Sequence, residues 1–214
     1  MPRILTLDDW LKTWDQLGLW GSHEDFSDLL NRYRESHRAY HTMQHLCECF
    51  DHLTTARHLA CRIGEVELAL WFHDAVYDPR RNDNEELSRD CAQEVLLNAR
   101  AGGDVMSRVE NLILATRHTS VVTDCDAKLL VDVDLAILGS EPTRFDEYEQ
   151  QVRQEYAWVP EDAFRTGRSR ILAQFLARPR IYFTDWFFNR LELAARANLQ
   201  RSLEMLGDQG VSRA

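Results

Sequence analysis

The feature that most constrains the fold is an apolar run over residues 66–72, which only Glu67 interrupts. A segment that is apolar on every side belongs in the centre of a domain. The run ends on two adjacent ionisable residues, His73 and Asp74. Burying such groups is costly unless they are paired or bind a metal. A solvated helix end and a hydrogen-bonded structural pair are the competing interpretations of this dyad.

The rest of the chain has the periodicity of helices. Apolar residues recur at helical spacing, without strand alternation, an internal repeat or a linker that would divide the chain. Cap residues, glycines and prolines set the predicted helical segments: 6–18, 22–33, 41–63, 66–72, 87–103, 105–116, 127–138, 145–160, 171–179 and 184–206. We therefore expect an all-α fold, with one helical bundle over residues 1–214 as a single domain.

Composition and charge exclude several classes of function. The formal net charge of -10 argues against general binding to long nucleic acids, which requires clustered positive charge. No run approaches the roughly 20 apolar residues that span a bilayer, and the amphipathic first segment does not resemble a signal peptide. The five cysteines are scattered, and Cys47 and Cys49 lack a second pair at ligand spacing, which favours buried free thiols. We expect a reduced, cytoplasmic protein without a membrane partner.

Histidines are concentrated ahead of the apolar run. On a helix, His41 would lie about 40° behind His45, and His45 would be the closer of the two to the apolar face. Residues at i and i+4 can direct two imidazoles at one point. A histidine at the edge of a core is more often a hydrogen-bonded structural residue, so the residues alone leave both interpretations open.

Two carboxylates interrupt a later apolar helix at Asp132 and Asp134. They lie about 200° apart around a helix and therefore cannot share a face. One of them is expected to point inward. A buried, unpaired aspartate becomes neutral, whereas a cation stabilises its charged form.

These blocks, taken in order, resemble the HD-superfamily metal-dependent phosphohydrolases. An early histidine on a helix, an apolar helix that ends in His-Asp, and a late aspartate on another helix carry the resemblance. Within this superfamily, the chain resembles the bacterial group called predicted metal-dependent HD-superfamily phosphohydrolases. Six segments of the chain carry this resemblance: 38–45 (RAYHTMQH), 71–78 (WFHDAVYD), 84–88 (NEELS), 132–139 (DVDLAILG), 153–156 (RQEY) and 167–168 (GR). The resemblance covers nearly the whole chain and implies an HD-domain-like bundle.

The resemblance implies a divalent metal held by His73, Asp74, Asp134 and one early histidine. We favour His45 as that histidine, with His41 contacting substrate or orienting a ligand, although His41 stays open as the ligand. Such a ligand set suits Mn, Fe, Co, Ni or Zn, and Mg is a further candidate. The chain lacks the Lys or Gly that commonly follows the dyad, which leaves the substrate and the exact chemistry open.

Several further residues are candidates for roles around this metal. Arg38 can hold a phosphate by its planar fork. His118 can act as an acid or as an additional ligand, and a structural role is open as well. Asp78 and Glu85 are expected to orient ligand histidines. Three late arginines either bind phosphate or form surface ion pairs: Arg165, Arg168 and Arg170.

The implied activity is hydrolysis of a small phosphate ester, such as a nucleotide, by metal-activated water. Two other classes compete with it. One is the iron-dependent oxygenase branch of the same superfamily, for which His118 is the only obvious additional histidine. The other is a non-enzymatic helical binding or regulatory protein with a relic metal site. Nothing in the sequence indicates an oligomeric state.

Overall fold

The computed structural model describes residues 3–118 and 122–208, and all regular secondary structure within them is helical. The α-helices are α1 (Leu7–Gln16), α2 (His23–Arg32), α3 (Met43–Ala56), α4 (Ile63–Phe72), α5 (Asn84–Asn98), α6 (Gly103–Ala115), α7 (Cys125–Asp134), α8 (Pro142–Glu155), α9 (Glu161–Leu176) and α10 (Asp185–Asp208). Short 3₁₀ segments follow α3 and α7, at Arg57–Leu59 and Leu135–Gly139. The prediction of an all-α fold is confirmed. None of the described helices has the length and apolarity needed to cross a lipid bilayer.

The chain groups into two compact units, Met1–Asp134 and Leu135–Ala214. The first unit contains α1 to α7 and all of the predicted metal ligands. The second contains α8 to α10. A single HD-like domain over residues 1–214 stays a prediction.

Helix α4 is the centre of the first unit, as its apolar sequence predicts. Every residue from Gly64 to Phe72 is buried, and α4 packs against α1, α3, α5, α6 and α7. Trp71 has no exposed surface. Its ring packs at 5.6 Å from that of Trp10 and at 4.8 Å from that of Phe50. Burial of this aromatic cluster fixes the position at which α4 ends, and therefore the position of His73.

The two glutamates of α4 are buried together with partners. Thr13 and Gln16 donate hydrogen bonds to Glu67 at 3.2 and 2.7 Å, and Arg57 forms an ion pair with it. Arg108 donates two bonds of 2.7 Å to Glu65. Because buried carboxylates are tolerated when they are paired and hydrogen-bonded, α4 can occupy the core despite these two charges.

Local capping signals explain where most helices begin. Thr6 and Asp9 form the reciprocal capping box that their spacing predicts at α1. The hydroxyl of Ser22 caps α2, and that of Thr184 accepts a bond from the N–H of Phe187 at the start of α10. Side-chain acceptors here satisfy N–H groups that have no partner within the helix.

The prediction of one long helix over residues 41–63 is wrong. Thr42 is the N-cap of α3, and its hydroxyl accepts a bond from the N–H of Gln44. The α-helix ends at Ala56, Ala60 has an extended backbone, and α4 begins at Ile63. His41 therefore lies in the turn before α3, and the helical i, i+4 relation to His45 does not hold.

The predicted helix over residues 127–138 is also divided. It is α-helical to Asp134 and continues as a 3₁₀ segment to Gly139. Gly139 lies where an added Cβ would approach the Cβ of Leu191 to 2.6 Å, so this glycine permits close packing in the second unit.

Arg168 is also in the second unit. Only 7% of its side chain is exposed, and it pairs with Glu149. Its guanidinium lies 5.0 Å from the ring of Tyr148. Burial acts to lower the pKa of Arg168, but its interactions with Tyr148 and Glu149 outweigh burial and raise the pKa. These contacts assign Arg168 an ion pair with Glu149, but a buried one instead of the surface ion pair that we expected as one of its two roles.

Candidate metal centre

His45 enters the site from the first turn of α3. It is 2% exposed, and its ring packs at 4.7 Å from that of Tyr40. Cys49, one turn further along α3, places its sulfur 3.6 Å from Nδ1 of His45. The packing directs Nε2 of His45 into the cluster.

His73 and Asp74 follow directly after α4. Nδ1 of His73 lies 2.8 Å from the carbonyl oxygen of Leu70. Because a carbonyl only accepts hydrogen bonds, Nδ1 carries the proton and the neutral ring has its lone pair on Nε2. An orientation of this kind is typical of metal-binding histidines, whose other nitrogen often donates to a backbone carbonyl.

The predicted ligands converge at one point. Nε2 of His45 lies 3.1 Å from Nε2 of His73. It is also 3.5 Å from Oδ2 of Asp74 and 3.2 Å from Oδ1 of Asp134. Nε2 of His73 is 3.1 Å from the same oxygen of Asp74 and 3.6 Å from that of Asp134. Side chains from α3, the end of α4 and the end of α7 thus meet within hydrogen-bonding range.

These contacts cannot all be hydrogen bonds. An imidazole Nε2 offers one proton or one lone pair, yet that of His45 faces three groups. A single cation can accept a lone pair from each of them. Ligand atoms about 2.1 Å from an ion, at angles of about 90–110°, lie about 3.0–3.4 Å apart. The observed separations of 3.1–3.6 Å are close to that spacing.

Charge and exposure also suit a cation. Two carboxylates, together with imidazoles in the neutral form that metal binding requires, would give a local charge that a divalent ion balances. The two histidines are almost fully buried, whereas the side chains of Asp74 and Asp134 are 18% and 14% exposed. The carboxylate side of the cluster therefore reaches solvent. The residues can hold a metal ion.

The protonation states show how strongly these groups interact. Burial acts to lower the pKa of His73, but the charges of Asp74 and Asp134 and their hydrogen bonds raise it well above its ordinary value. Burial likewise acts to raise the pKa of both carboxyls. The histidines around them outweigh it, so both pKa values fall below the usual range for aspartate. Both aspartates therefore remain charged, as metal binding requires.

His118 joins the cluster, as expected for an acid or an additional ligand. It follows the end of α6 with a φ of 56°, which is uncommon for a residue other than glycine. Its Nε2 lies 3.1 Å from Oδ2 of Asp134. Asp134 thus directs one oxygen at His45 and His73 and the other at His118.

Arg38 lies beside the site, but its contacts change the role that we expected. Its guanidinium donates to the carbonyls of His41, Asp74 and Ala75 at 3.1, 2.7 and 3.1 Å, and to the carboxylate of Glu35 at 3.1 Å. The side chain has no exposed surface. A phosphate cannot reach a guanidinium that is buried and already hydrogen-bonded to these four groups. Arg38 therefore positions the Asp74 backbone.

His41 borders the cluster instead of entering it. Its ring stacks on that of Tyr77 at 3.9 Å and lies 5.9 Å from that of His45. Within the described residues, two of the three groups with metal-ligand spacing contain His45, and none contains His41. The geometry therefore favours His45 as the early ligand. His41 is partly exposed, a position from which it can contact a substrate.

Among the described residues, the carboxylates of Asp78 and Glu85 contact partners other than the ligand histidines that we expected. The carboxylate of Asp78 accepts a bond of 2.9 Å from the N–H of Arg80 and thereby holds the turn after the dyad. Glu85 lies 3.9 Å from Arg117, next to His118. The carbonyl of Leu70 and the sulfur of Cys49, instead of these carboxylates, contact the ligand histidines. Asp132 is fully buried, and its role stays open.

Cys49 is the site residue that sequence reasoning missed, although its interpretation as a buried thiol is correct. Burial and the charges of Asp134 and Asp74 raise the pKa of Cys49 well above its usual value. The thiol therefore stays protonated and is a packing group for His45 before any ion is bound. Its position four residues after His45 is the signal that would have placed it there.

Comparisons with protein-family models, with curated proteins and with solved structures gave no match.

Proposed function

We propose that this protein is a metal-dependent phosphohydrolase of the HD superfamily that acts on a small phosphate ester, such as a nucleotide. The convergence of His45, His73, Asp74 and Asp134 carries the proposal. These residues come from α3, the end of α4 and the end of α7, in the order that the HD pattern requires. We further propose a cytoplasmic location, which five free cysteines favour.

The same four residues are proposed to hold one divalent transition-metal ion. When bound, such an ion lowers the pKa of a coordinated water and polarises a phosphoryl oxygen. The chain itself supplies the surroundings. Leu70 holds the His73 ring in the required tautomer, and Arg38 holds the backbone that carries Asp74.

His118 and His41 are the proposed substrate-side residues. His118 is 20% exposed and contacts Oδ2 of Asp134, where an imidazole can donate a proton to a leaving oxygen. His41 lies in the turn at the rim, stacked on Tyr77. Because Arg38 is not available to a phosphate, substrate binding depends on this rim and on the cation.

The substrate is proposed to be small. A net charge of -10 repels a polyanion, whereas a small anion can still reach a locally cationic metal pocket. The limited exposure of Asp74 and Asp134 also favours a single phosphate group over an extended backbone.

Metal analysis of purified protein, combined with a substrate panel, tests this function. We expect about one divalent ion per chain in the wild type, and its loss from the His73→Ala and Asp134→Ala variants. His58→Ala, which changes an exposed histidine, is the matched control and should keep the ion. Nucleotides and phosphomonoesters should be hydrolysed with Mn, Co, Ni, Zn, Fe or Mg, and a chelator should stop the reaction.

The hydrolase proposal would be refuted if protein that carries the ion hydrolyses no compound of the panel. Protein without a stoichiometric ion under any loading condition would support the alternative of a helical binding protein with a relic site.

The iron-dependent oxygenase is the second candidate, and His118 is the observation that favours it. The contact of His118 with Oδ2 of Asp134 gives that carboxylate partners on both oxygens, an arrangement suited to bridging two ions. Two equivalents of iron with substrate-dependent oxygen uptake would establish this class. One equivalent with phosphate release would exclude it.

A further inference from the structure

A second cluster of ligand-type side chains lies away from the proposed metal centre. Cys61 precedes α4, and Cys125 is the first residue of α7. Their sulfur atoms and a carboxylate oxygen of Asp126 lie within 4.8 Å of one another. Both thiols are exposed, whereas the other three cysteines are buried or half-buried.

The backbone around the two thiols is fixed by hydrogen bonds. Asp126 accepts from the N–H of Cys61 at 2.7 Å and from that of Arg62 at 3.1 Å. Asp124 in turn accepts two bonds of 2.9 Å from the first turn of α7, including one from Asp126. The two chain segments therefore remain in contact, and the sulfur atoms meet without any large rearrangement.

The same bonds argue against a metal at this cluster. Each oxygen of Asp126 already accepts a backbone N–H, and only the two thiols remain as ligands. A tetrahedral ion requires more protein ligands than that for a structural site. Two adjacent exposed thiols are instead suited to thiol–disulfide exchange.

We propose that Cys61 and Cys125 are a modification site at which a low-molecular-weight disulfide oxidises the two thiols to a reversible intramolecular disulfide. The proposal is independent of the function assigned to the metal centre. In a reducing compartment, such a bond is transient and responds to the redox state.

The chemistry has two balanced exchange steps. The thiolate of Cys125 attacks one sulfur of the small disulfide, which forms a mixed disulfide and releases the first small thiolate. Cys61 then loses its proton to water and attacks the Cys125 sulfur, which releases the second. The protein loses two electrons and two protons, and one small disulfide becomes two thiols. A hydrogen bond to Cys125 raises the pKa of Cys61 to about 11, which makes Cys61 the later nucleophile.

The bond would join the starts of α4 and α7, which pack against each other. His73 and Asp74 follow the end of α4, and Asp134 ends α7. At about 1.5 Å per residue, Cys125 is about 14 Å from Asp134. The disulfide would therefore restrain the helices that carry three of the ligands without touching the cluster itself.

Oxidation of the purified protein with oxidised glutathione, followed by peptide mapping, tests the proposal. We expect a Cys61–Cys125 cross-link that dithiothreitol reverses, and a rise in Tm of about 5–10 °C on oxidation. The matched control Cys91→Ser should form the same cross-link. Cys61→Ser should instead retain a glutathione adduct on Cys125 and show no such rise in Tm.

Two results would overturn the proposal. One is wild-type protein in which both thiols carry separate adducts, or stay free, after prolonged oxidation. The other is one equivalent of zinc that Cys61→Ser and Cys125→Ser lose but His73→Ala keeps, which would assign the pair to a metal site.

Discussion

The Arg38→Ala substitution separates a positioning arginine from a phosphate-binding one. Its guanidinium donates to three backbone carbonyls, those of His41, Asp74 and Ala75. A buried acceptor left without a partner costs about 1–3 kcal/mol. Water that enters the cavity left by the arginine can bond to these carbonyls and offset part of this cost. We therefore expect a loss of about 3–5 kcal/mol in the free energy of unfolding.

The loss should be visible in both stability and metal binding. For a chain of about 150–250 residues, 1 kcal/mol shifts Tm by about 2–4 °C, so the expected decrease is about 6–20 °C. Because Arg38 holds the backbone of Asp74, metal affinity should fall by about 10–100-fold. Calorimetric unfolding and metal titration measure the two effects.

Matched variants make the test decisive. Arg38→Lys keeps the charge, but a single ammonium group cannot span three carbonyls, so we expect an intermediate loss. Arg34→Ala removes an exposed arginine nearby and should change stability by less than about 0.5 kcal/mol. A wild-type Tm and metal affinity in Arg38→Ala, together with a higher KM for a phosphate ester, would instead make Arg38 a phosphate-binding residue.

Three further substitutions test individual contacts. His118→Ala should keep the ion, because the four other side chains hold it, but kcat should fall by about 10²-fold or more; loss of the ion would make His118 a ligand instead. Arg57→Ala should lower the free energy of unfolding by about 1–3 kcal/mol in urea titrations, a value reduced because Arg57 is partly exposed. Its partner Glu67 is left buried, so adding Glu67→Gln should recover part of the loss. Asp126→Ala removes the acceptor of two N–H groups and should cost about 1–2 kcal/mol; no change in Tm would contradict that role.

The predictable parts of the fold are those that local sequence specifies. The capping box of Thr6 and Asp9 and the cap at Ser22 act within one turn of helix, so their spacing alone locates α1 and α2. The apolar run of α4 has no polar face, so this helix is stable only in the centre of the fold, where all of its sides are buried. Because the His-Asp dyad directly follows that run in the sequence, it could be predicted as a candidate site.

Tertiary contacts specify the parts that sequence could not predict. An arginine is most often exposed, and Arg38 is buried only because three carbonyls meet around it. The turn at His41 follows from that contact and from the cap at Thr42. Cys61 and Cys125 are far apart in the chain, and no spacing rule indicates that they meet.

The position of the cluster at helix ends predicts the order in which ligands bind. His73 follows the end of α4, and His118 follows the end of α6. Helix C-termini carry negative partial charge, and Asp74 and Asp134 add full charges whose pKa values are lowered. This field attracts a cation and repels a phosphate until the cation is bound. Inorganic phosphate should therefore show no binding heat in chelator-treated protein and measurable binding after metal is restored. Equal phosphate affinity in both states would mean that the anion binds elsewhere in the molecule.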